Sequence, residues 1–314
     1  MSDIKLYRVG GVEPVAMLER SASKLEKDLQ KLIETNMELM FGVRLLASEF
    51  STGPVHGGRM DSIGIDDAGT PVIFEYKRTV GENVMNQGLF YLDWLLDHQG
   101  DFKVLVIEKL GAEAAATIDF SRPRLICVAN SFTKYDEHAI RQMGRAIELF
   151  RYQQFEGDLL ALELFASSTT GPSAVLPAAS PNQGESGTTS PGVGSKYSTF
   201  EEQLAKSPQH LRDLYADLTE KIESLGDDVS AKATKYYMNF RRIKSFVSIE
   251  IYSQRQKILV FVRVDPTTVN LESGFSRDVT NIGHLGNGDL ELTVTSADTL
   301  AKAIPLIQTS YEAN

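Results

Sequence analysis

Cysteine is all but absent: Cys127 stands alone among 314 residues. That excludes an internal disulfide and any cysteine-built zinc cluster. Its setting, Leu125-Ile126-Cys127-Val128-Ala129, is that of a small buried thiol, and no histidine is spaced closely behind it to make a nucleophile of it. Long hydrophobic runs are missing as well. Nothing reaches the roughly 18 apolar residues of a membrane span, and Asp3, Lys5 and Arg8 leave the start without a signal-peptide hydrophobic region. A cytoplasmic protein with no membrane partner is expected. Positive charge is in deficit, with 32 Lys and Arg against 42 Asp and Glu and a formal charge of -10. A protein that coats nucleic acid through phosphate contacts is thereby disfavoured. An enzyme whose carboxylates are partly neutralised by metal, and whose basic residues are local, is not.

The stretch from Arg59 to Arg78 organises the rest. Two apolar runs, Met60 to Ile65 and Val72 to Phe74, flank Asp66-Asp67-Ala68-Gly69, a turn-forming segment, so an antiparallel hairpin is predicted. Folding the chain near Ala68 sets Asp61 opposite Glu75, and period-two alternation puts Lys77 on the same face. Two facing carboxylates repel unless a divalent cation lies between them, and hard oxygen ligands suit magnesium or manganese. Such a group, with a lysine beside it, supplies what phosphodiester hydrolysis needs. The competing reading is a solvated cross-strand ion pair. Val72, Ile73 and Phe74 lack polar alternation, which points to a strand buried on both sides and strengthens the first reading. Downstream, apolar residues at 84, 85, 89, 92, 95 and 96 predict a helix packed on the sheet, with Gln87 and Tyr91 one turn apart on one face.

Asp61, a spacer of thirteen residues, Glu75-x-Lys77 and then Gln87-x-x-x-Tyr91 together resemble the PD-(D/E)xK nuclease superfamily, in its DUF91-type branch. The proline that names the motif is replaced by Arg59-Met60 ahead of Asp61. The resemblance implies a restriction-endonuclease-like α/β domain of three layers around a mixed sheet. It implies Asp61 and Glu75 as metal ligands and Lys77 as the residue that positions the attacking water. Gln87 and Tyr91 would line the site or touch the nucleic-acid backbone, and Arg59 is counted with them among the substrate-binding candidates. The superfamily places a Glu of its first helix towards the metal, which makes Glu26 a further metal-binding and catalytic candidate and Glu34 its substitute. A solvated Glu paired with a nearby Lys is the alternative for either.

In chain order, Ile4 to Val9 and Val12 to Met17 are expected to be extended around a Gly-Gly turn. Glu19 to Met40 is expected to be one amphipathic helix capped by Ser21 or Ser23. Val43 to Phe50 should be the first core strand, and His56 lies in the loop that follows. Lys103 to Ile107 and Arg124 to Ala129 read as strands, His138 to Phe150 as a helix, and Leu159 to Phe165 as the last strand of a domain covering residues 1–166. Residues 167–198 turn to Ser, Thr, Gly, Pro and Ala, the composition of a flexible linker.

A separate α+β domain is expected over residues 199–314. It begins with helices at Phe200 to Leu204 and Leu211 to Leu225. A hairpin, Phe246 to Tyr252 with Ile258 to Val264, follows, then a strand at Asp289 to Val294 and a helix at Ala297 to Tyr311. Lys232, Lys235, Arg241, Arg242 and Lys244 interleave with Tyr236, Tyr237, Phe240 and Phe246. That pattern suits a strand of nucleic acid, Arg241 and Arg242 on phosphates and Tyr237 against a base. It equally describes an amphipathic edge with its aromatics in the core. This half resembles the DUF5655 domain in Tyr236-Tyr237-Met238-Asn239-Phe240-Arg241, Ser276-Arg277-Asp278-Val279, Asn281-Ile282-Gly283-His284-Leu285-Gly286 and Ile307-Gln308-Thr309-Ser310-Tyr311-Glu312.

The combined expectation is a two-domain, magnesium- or manganese-dependent endonuclease acting on nucleic acid, DNA ahead of RNA, with a C-terminal domain that selects substrate or partner. One rival is a non-catalytic nucleic-acid-binding or regulatory protein that keeps the fold. Another is a protein-interaction adaptor with no metal dependence. Monomer and homodimer are both left open.

Overall fold

Arg124 to Ala129 has no solvent-facing position, and it forms one of the central strands of a mixed sheet. The computed structural model describes residues 4–9, 16–21, 26–77, 84–168, 198–282, 284 and 286–314. The chain divides into two compact units, Met1–Thr169 and Thr170–Asn314. Arg78, Gly81, Leu25, Ser23, Gly283, Leu285, the Gly10-Gly11 turn and positions 169–197 of the expected linker lie outside the described residues.

In the first unit, β1 (Tyr7–Arg8) pairs with β2 (Ala16–Met17), followed by α1 (Glu26–Thr35) and α2 (Met37–Phe41). Next come β3 (Val43–Ser51), the single-turn α3 (Gly53–His56), β4 (Arg59–Asp66) and β5 (Pro71–Lys77). Helices α4 (Val84–Asp97), α5 (Gln99–Leu110) and α6 (Ala112–Ala116) lead to β6 (Arg124–Ala129). The unit closes with α7 (Lys134–Gln142), β7 (Ala146–Phe155) and β8 (Leu159–Ser167). The six strands run in the order β3-β4-β5-β6-β7-β8, antiparallel at both ends and parallel across β5, β6 and β7.

Alternation along the buried strands assigns the two faces. Ile73, Leu125, Cys127, Ile147 and Leu149 pack with Val84, Leu92, Leu95 and Phe102 from α4 and α5. On the other face Phe41 of α2 meets Phe74 and Phe150 edge-on, each at 5.1 Å between ring centroids. Helices on both sides of a mixed sheet make three layers, as expected.

Three expectations are corrected. The helix over Glu19 to Met40 is described from Glu26 and is broken at Asn36. Before it, Glu19 O accepts from Glu156 N and Ser21 N donates to Gln154 O, so both residues are extended along β7. Lys103 to Ile107 is not a strand but the middle of α5, because Phe102, Leu105 and Val106 are the buried positions, at helical spacing, while Val104 and Ile107 face solvent. His138 to Phe150 is not one helix. Gly144, at φ +63, ends the α7 region, and β7 starts at Ala146 to pair with β6.

The second unit is α+β. After α8 (Phe200–Lys206) and α9 (Gln209–Glu223) come β9 (Ser230–Ala233), β10 (Met238–Arg241), β11 (Ser245–Tyr252), β12 (Lys257–Val262), β13 (Ser276–Asp278), β14 (Leu290–Val294) and α10 (Ala297–Ala313). The sheet is antiparallel throughout, in the order β13-β14-β12-β11-β10-β9. Leu211, Leu218 and Ile222 of α9 and Leu300, Ala303 and Ile307 of α10 pack with Val247, Ile249, Val260 and Leu292. On the alternate positions, one register row carries Asn239, Ser248, Phe261, Glu291 and Arg277. Strand β13 was not foreseen in the sequence.

Among the described residues no helix is long and apolar enough to cross a membrane.

Candidate active site

The turn between β4 and β5 sets the register that builds the site. Asp66 N donates to Thr70 O, and Asp66 Oδ1 accepts from Ala68 N and Thr70 N at 3.0 and 2.8 Å. An aspartate that caps its own turn in this way holds the two strands in one alignment. Ser62 then pairs with Phe74, and the next step brings Asp61 to Glu75, as the hairpin folded at Ala68 predicts. Asp61 N donates to Glu75 Oε1 at 3.3 Å, and Tyr76 N donates to Asp61 Oδ2 at 2.9 Å.

Glu75 is fully buried and Asp61 half-buried. Burial, then the Asp61 charge beside it, pushes the Glu75 carboxyl up to about 9. Burial also raises Asp61, against the lowering effect of the Tyr76 amide and Lys77. Among the described residues Glu75 Oε2 is buried with no hydrogen-bond partner. A buried carboxylate oxygen without a donor is costly, and this one belongs to a pair of hard oxygen ligands. Asp61 and Glu75 therefore fit a divalent cation of the magnesium or manganese type.

Glu26, at the described start of α1, lies against Lys77 of β5, with Lys77 Nζ 3.7 Å from Glu26 Oε1. Among the described residues no group of three or more His, Cys, Asp or Glu side chains is gathered to hold a metal ion, so the structure brings Asp61 and Glu75 together as a pair and sets Glu26 beside the lysine. Glu34 points elsewhere. Its Oε1 accepts from Ser62 Oγ at 2.7 Å and from Gln30 Nε2 at 3.0 Å, on the face that alternation assigns to Ser62 and not to Asp61.

Gln87 and Tyr91 meet as their spacing requires: Gln87 Nε2 donates to Tyr91 Oη at 3.3 Å, and Arg59 N donates to the same oxygen at 3.1 Å. Tyr91 is buried, so the pair ties α4 to the first residue of β4. The Arg59 side chain is exposed and reaches Glu49 at 2.8 Å.

Two supporting groups escaped the reading of the sequence. Gln30, buried on α1, donates to Asp61 O at 2.9 Å. A glutamine between Leu29 and Ile33 on the buried stripe was the available signal. At the far end of the strands Arg124 donates twice to Glu148, at 2.9 and 3.1 Å, and once to Asp66, at 3.1 Å. All three residues are buried. Cys127 neighbours Glu75 across the parallel pair and is buried, and burial pushes its thiol up.

Of the basic and aromatic residues of the second unit, Lys235 is exposed, with its Nζ over the Tyr236 ring at 5.1 Å, while Phe240 and Phe246 are in the core. Tyr237 and Arg241 are buried. Arg242 Nε reaches Asp228 Oδ2 at 2.7 Å, its Nη1 donates to Tyr311 O at 3.3 Å, and its guanidinium covers the Tyr311 ring at 4.4 Å.

Residues 200–314 match the family described as Domain of unknown function (DUF5655). They form a DUF5655 domain. Three of the four segments that carried the resemblance supply bonds to its internal network. Asn239 Nδ2 donates to Ser245 Oγ, Arg277 pairs with Glu291, and Tyr311 Oη donates to Asp228 Oδ1. Over the whole length, the chain is 28% identical across 296 residues to a Haemophilus influenzae protein described as uncharacterized, covering 94% of this chain and 95% of that one. Among solved structures, a repair endonuclease from Pyrococcus abyssi aligns at 22% identity with a TM-score of 0.28, over 42% of this chain and 49% of that one. An EndoMS–dsDNA2 complex aligns at 18% identity with a TM-score of 0.25, over 47% and 65%. The match thus spans about half of the first of these and under two thirds of the second, and alignments at such scores carry no argument about this chain.

Proposed function

We propose that the N-terminal unit is a metal-dependent endonuclease of PD-(D/E)xK type that hydrolyses phosphodiester bonds, with DNA as the expected substrate, and that the DUF5655 unit selects substrate or partner. The observation that carries this reading is the Asp61–Glu75 pair, facing each other across one hairpin, with Glu75 Oε2 buried and without a hydrogen-bond partner among the described residues. Ionising both carboxyls together is costly, through burial first and mutual repulsion second, a cost that a structural ion pair would not carry and that a bound cation would offset. A bound magnesium or manganese ion supplies Lewis-acid polarisation and activation of water for attack on phosphorus. Asp61 and Glu75 would hold that ion, and the Tyr76 amide fixes the orientation of Asp61. Lys77, mostly buried beside them, orients the attacking water and offsets charge that develops on the phosphate oxygens. The net charge of -10 directs the substrate contacts to this local site and not to a general basic surface.

The deciding experiment incubates the purified full chain with single-stranded and duplex DNA and RNA, in magnesium, in manganese and in excess chelator. Metal-dependent cleavage that Asp61→Ala and Glu75→Ala abolish supports the assignment; full activity in chelator, or in either variant, removes it. A second reading, a nucleic-acid-binding protein with an inert site, draws on one observation: among the described residues no third metal-ligating side chain gathers with Asp61 and Glu75. Metal-independent binding without cleavage by the parent would select it.

A further inference from the structure

Beside the carboxylate pair stands a feature that hydrolysis does not use. Between β3 and β4 the chain makes the single turn Gly53-Pro54-Val55-His56, bounded by Gly53 at φ +83 and Gly57 at φ +67. A Cβ added at either glycine meets nothing within 4 Å, so the turn projects into open space. At its tip Val55 is fully exposed, at 101%. His56 is stacked on Phe90 of α4, 3.9 Å between centroids and 22° between planes, and its Nε2 lies 3.1 Å from Phe90 O. Phe90 still keeps 44% exposure.

An apolar residue and an open aromatic pair at a pinned tip are costly to leave in water, and their position says what would cover them. Phe90 precedes Tyr91, whose hydroxyl receives Arg59 N, and Arg59 lies two residues before Asp61 on the same face of β4. At the rise of a strand Arg59 and Asp61 are about 7 Å apart, and the edge of the Phe90 ring lies at Gly58, one residue further out, so the rings stand within a few stacked bases of the carboxylates. A chain with a charge of -10 has little to gain from phosphate contacts alone, whereas stacking on aromatic rings is sequence-tolerant and independent of net charge.

We propose that Val55, His56 and Phe90 form a stacking subsite for an unpaired nucleobase next to the phosphodiester held at Asp61 and Glu75. The proposal rests on the nuclease reading and adds to it the form of the substrate at this point: a base out of its pair, with Val55 set against the neighbouring base.

The test uses the full chain in chelator, so that binding is read without turnover, and a single-stranded oligodeoxynucleotide carrying 2-aminopurine, whose fluorescence falls when it stacks. The parent is expected to quench the probe. Phe90→Leu keeps the apolar volume and removes the flat ring; it is expected to bind the single strand about tenfold more weakly, the scale of one base stack, with quenching lost and duplex affinity changed less than twofold. Val55→Ser, at a fully exposed position, serves as a second variant that the fold tolerates, with the melting temperature of each variant measured alongside. If both variants bind and quench like the parent, or if Phe90→Leu weakens single strand and duplex equally, the subsite is overturned while cleavage by the parent keeps the nuclease reading. If the parent neither binds nor cleaves any nucleic acid, both fall together.

Discussion

The amide of Asp61 donates to the carboxylate of Glu75, so the strand that carries one acid holds the other in place. The consequence for stability can be read from pH. Glu75 titrates at about 9 when folded, against an ordinary value of 4.5. Because the folded value is raised, its favourable contribution is complete below pH 4.5 and is lost as pH rises towards 9. At pH 7 the lost interaction is on the order of 3 kcal/mol. Glu75→Gln is therefore expected to melt several degrees higher than the parent at pH 8 in chelator. A melting curve series from pH 5 to 9 checks this, with the parent falling more steeply than the variant as pH rises.

Lys77 and Glu26 form the second relationship to test. If Glu26 is only the partner of Lys77, Glu26→Gln should change cation affinity by less than about fivefold, the scale of a partly exposed ion pair. Asp61→Asn, by contrast, should abolish measurable binding. Calorimetric titration with manganese separates the two, and a loss with Glu26→Gln equal to that with Asp61→Asn would make Glu26 a ligand. Lys77→Met is expected to lower the cleavage rate by about 10²–10³-fold, the cost of removing one charge-stabilising donor.

What could be read from the sequence follows the range of the interactions. The Asp61–Glu75 register was legible because a four-residue turn, capped by Asp66, fixes it locally. Gln87 and Tyr91 were legible because helical spacing alone makes them meet. The Arg124, Glu148 and Asp66 cluster was not, since Arg124 lies 24 and 58 residues from its partners and only the parallel pairing brings them together. The apolar run at Lys103 to Ile107 misled because Val104 and Ile107 are exposed on a helix. In the second unit, composition alone left Tyr237 and Arg242 open between a binding face and an internal role. The first is buried, and Asp228 with Tyr311 engages the second.

The buried charge cluster gives a prediction for folding. Arg124→Met would leave Asp66 and Glu148 without their shared cation at nearly complete burial, which costs about 3–5 kcal/mol. Replacing Arg124 and Glu148 together by apolar residues should recover much of that loss, because a buried ion pair barely repays its desolvation. Denaturant titration of the single and double variants checks the sign: a double variant less stable than Arg124→Met would show that the cluster is held by more than charge balance.

The last prediction concerns Tyr237 and Arg242 in the DUF5655 domain. Tyr237 is buried, its backbone N and O are both bonded to Thr234 Oγ1, and Phe240, three residues on, lies in the core. Tyr237→Ala is therefore expected to destabilise the domain by about 3–5 kcal/mol, as for other buried aromatics, and to leave any nucleic-acid affinity of the full chain unchanged. Arg242→Ala removes the contact with Asp228 and the cover over Tyr311, both partly exposed, and should cost about 1 kcal/mol or less, since exposed pairs contribute little. The competing reading, in which this strand and loop carry nucleic acid, predicts the reverse for both variants. Affinity would fall and the salt dependence would flatten, because each lost phosphate contact releases one fewer counterion, while the melting temperature would hold. Measuring salt-dependent affinity and melting temperature on the same two proteins distinguishes the cases, and a stable Tyr237→Ala domain with weakened binding would show that Tyr237 meets a base after all.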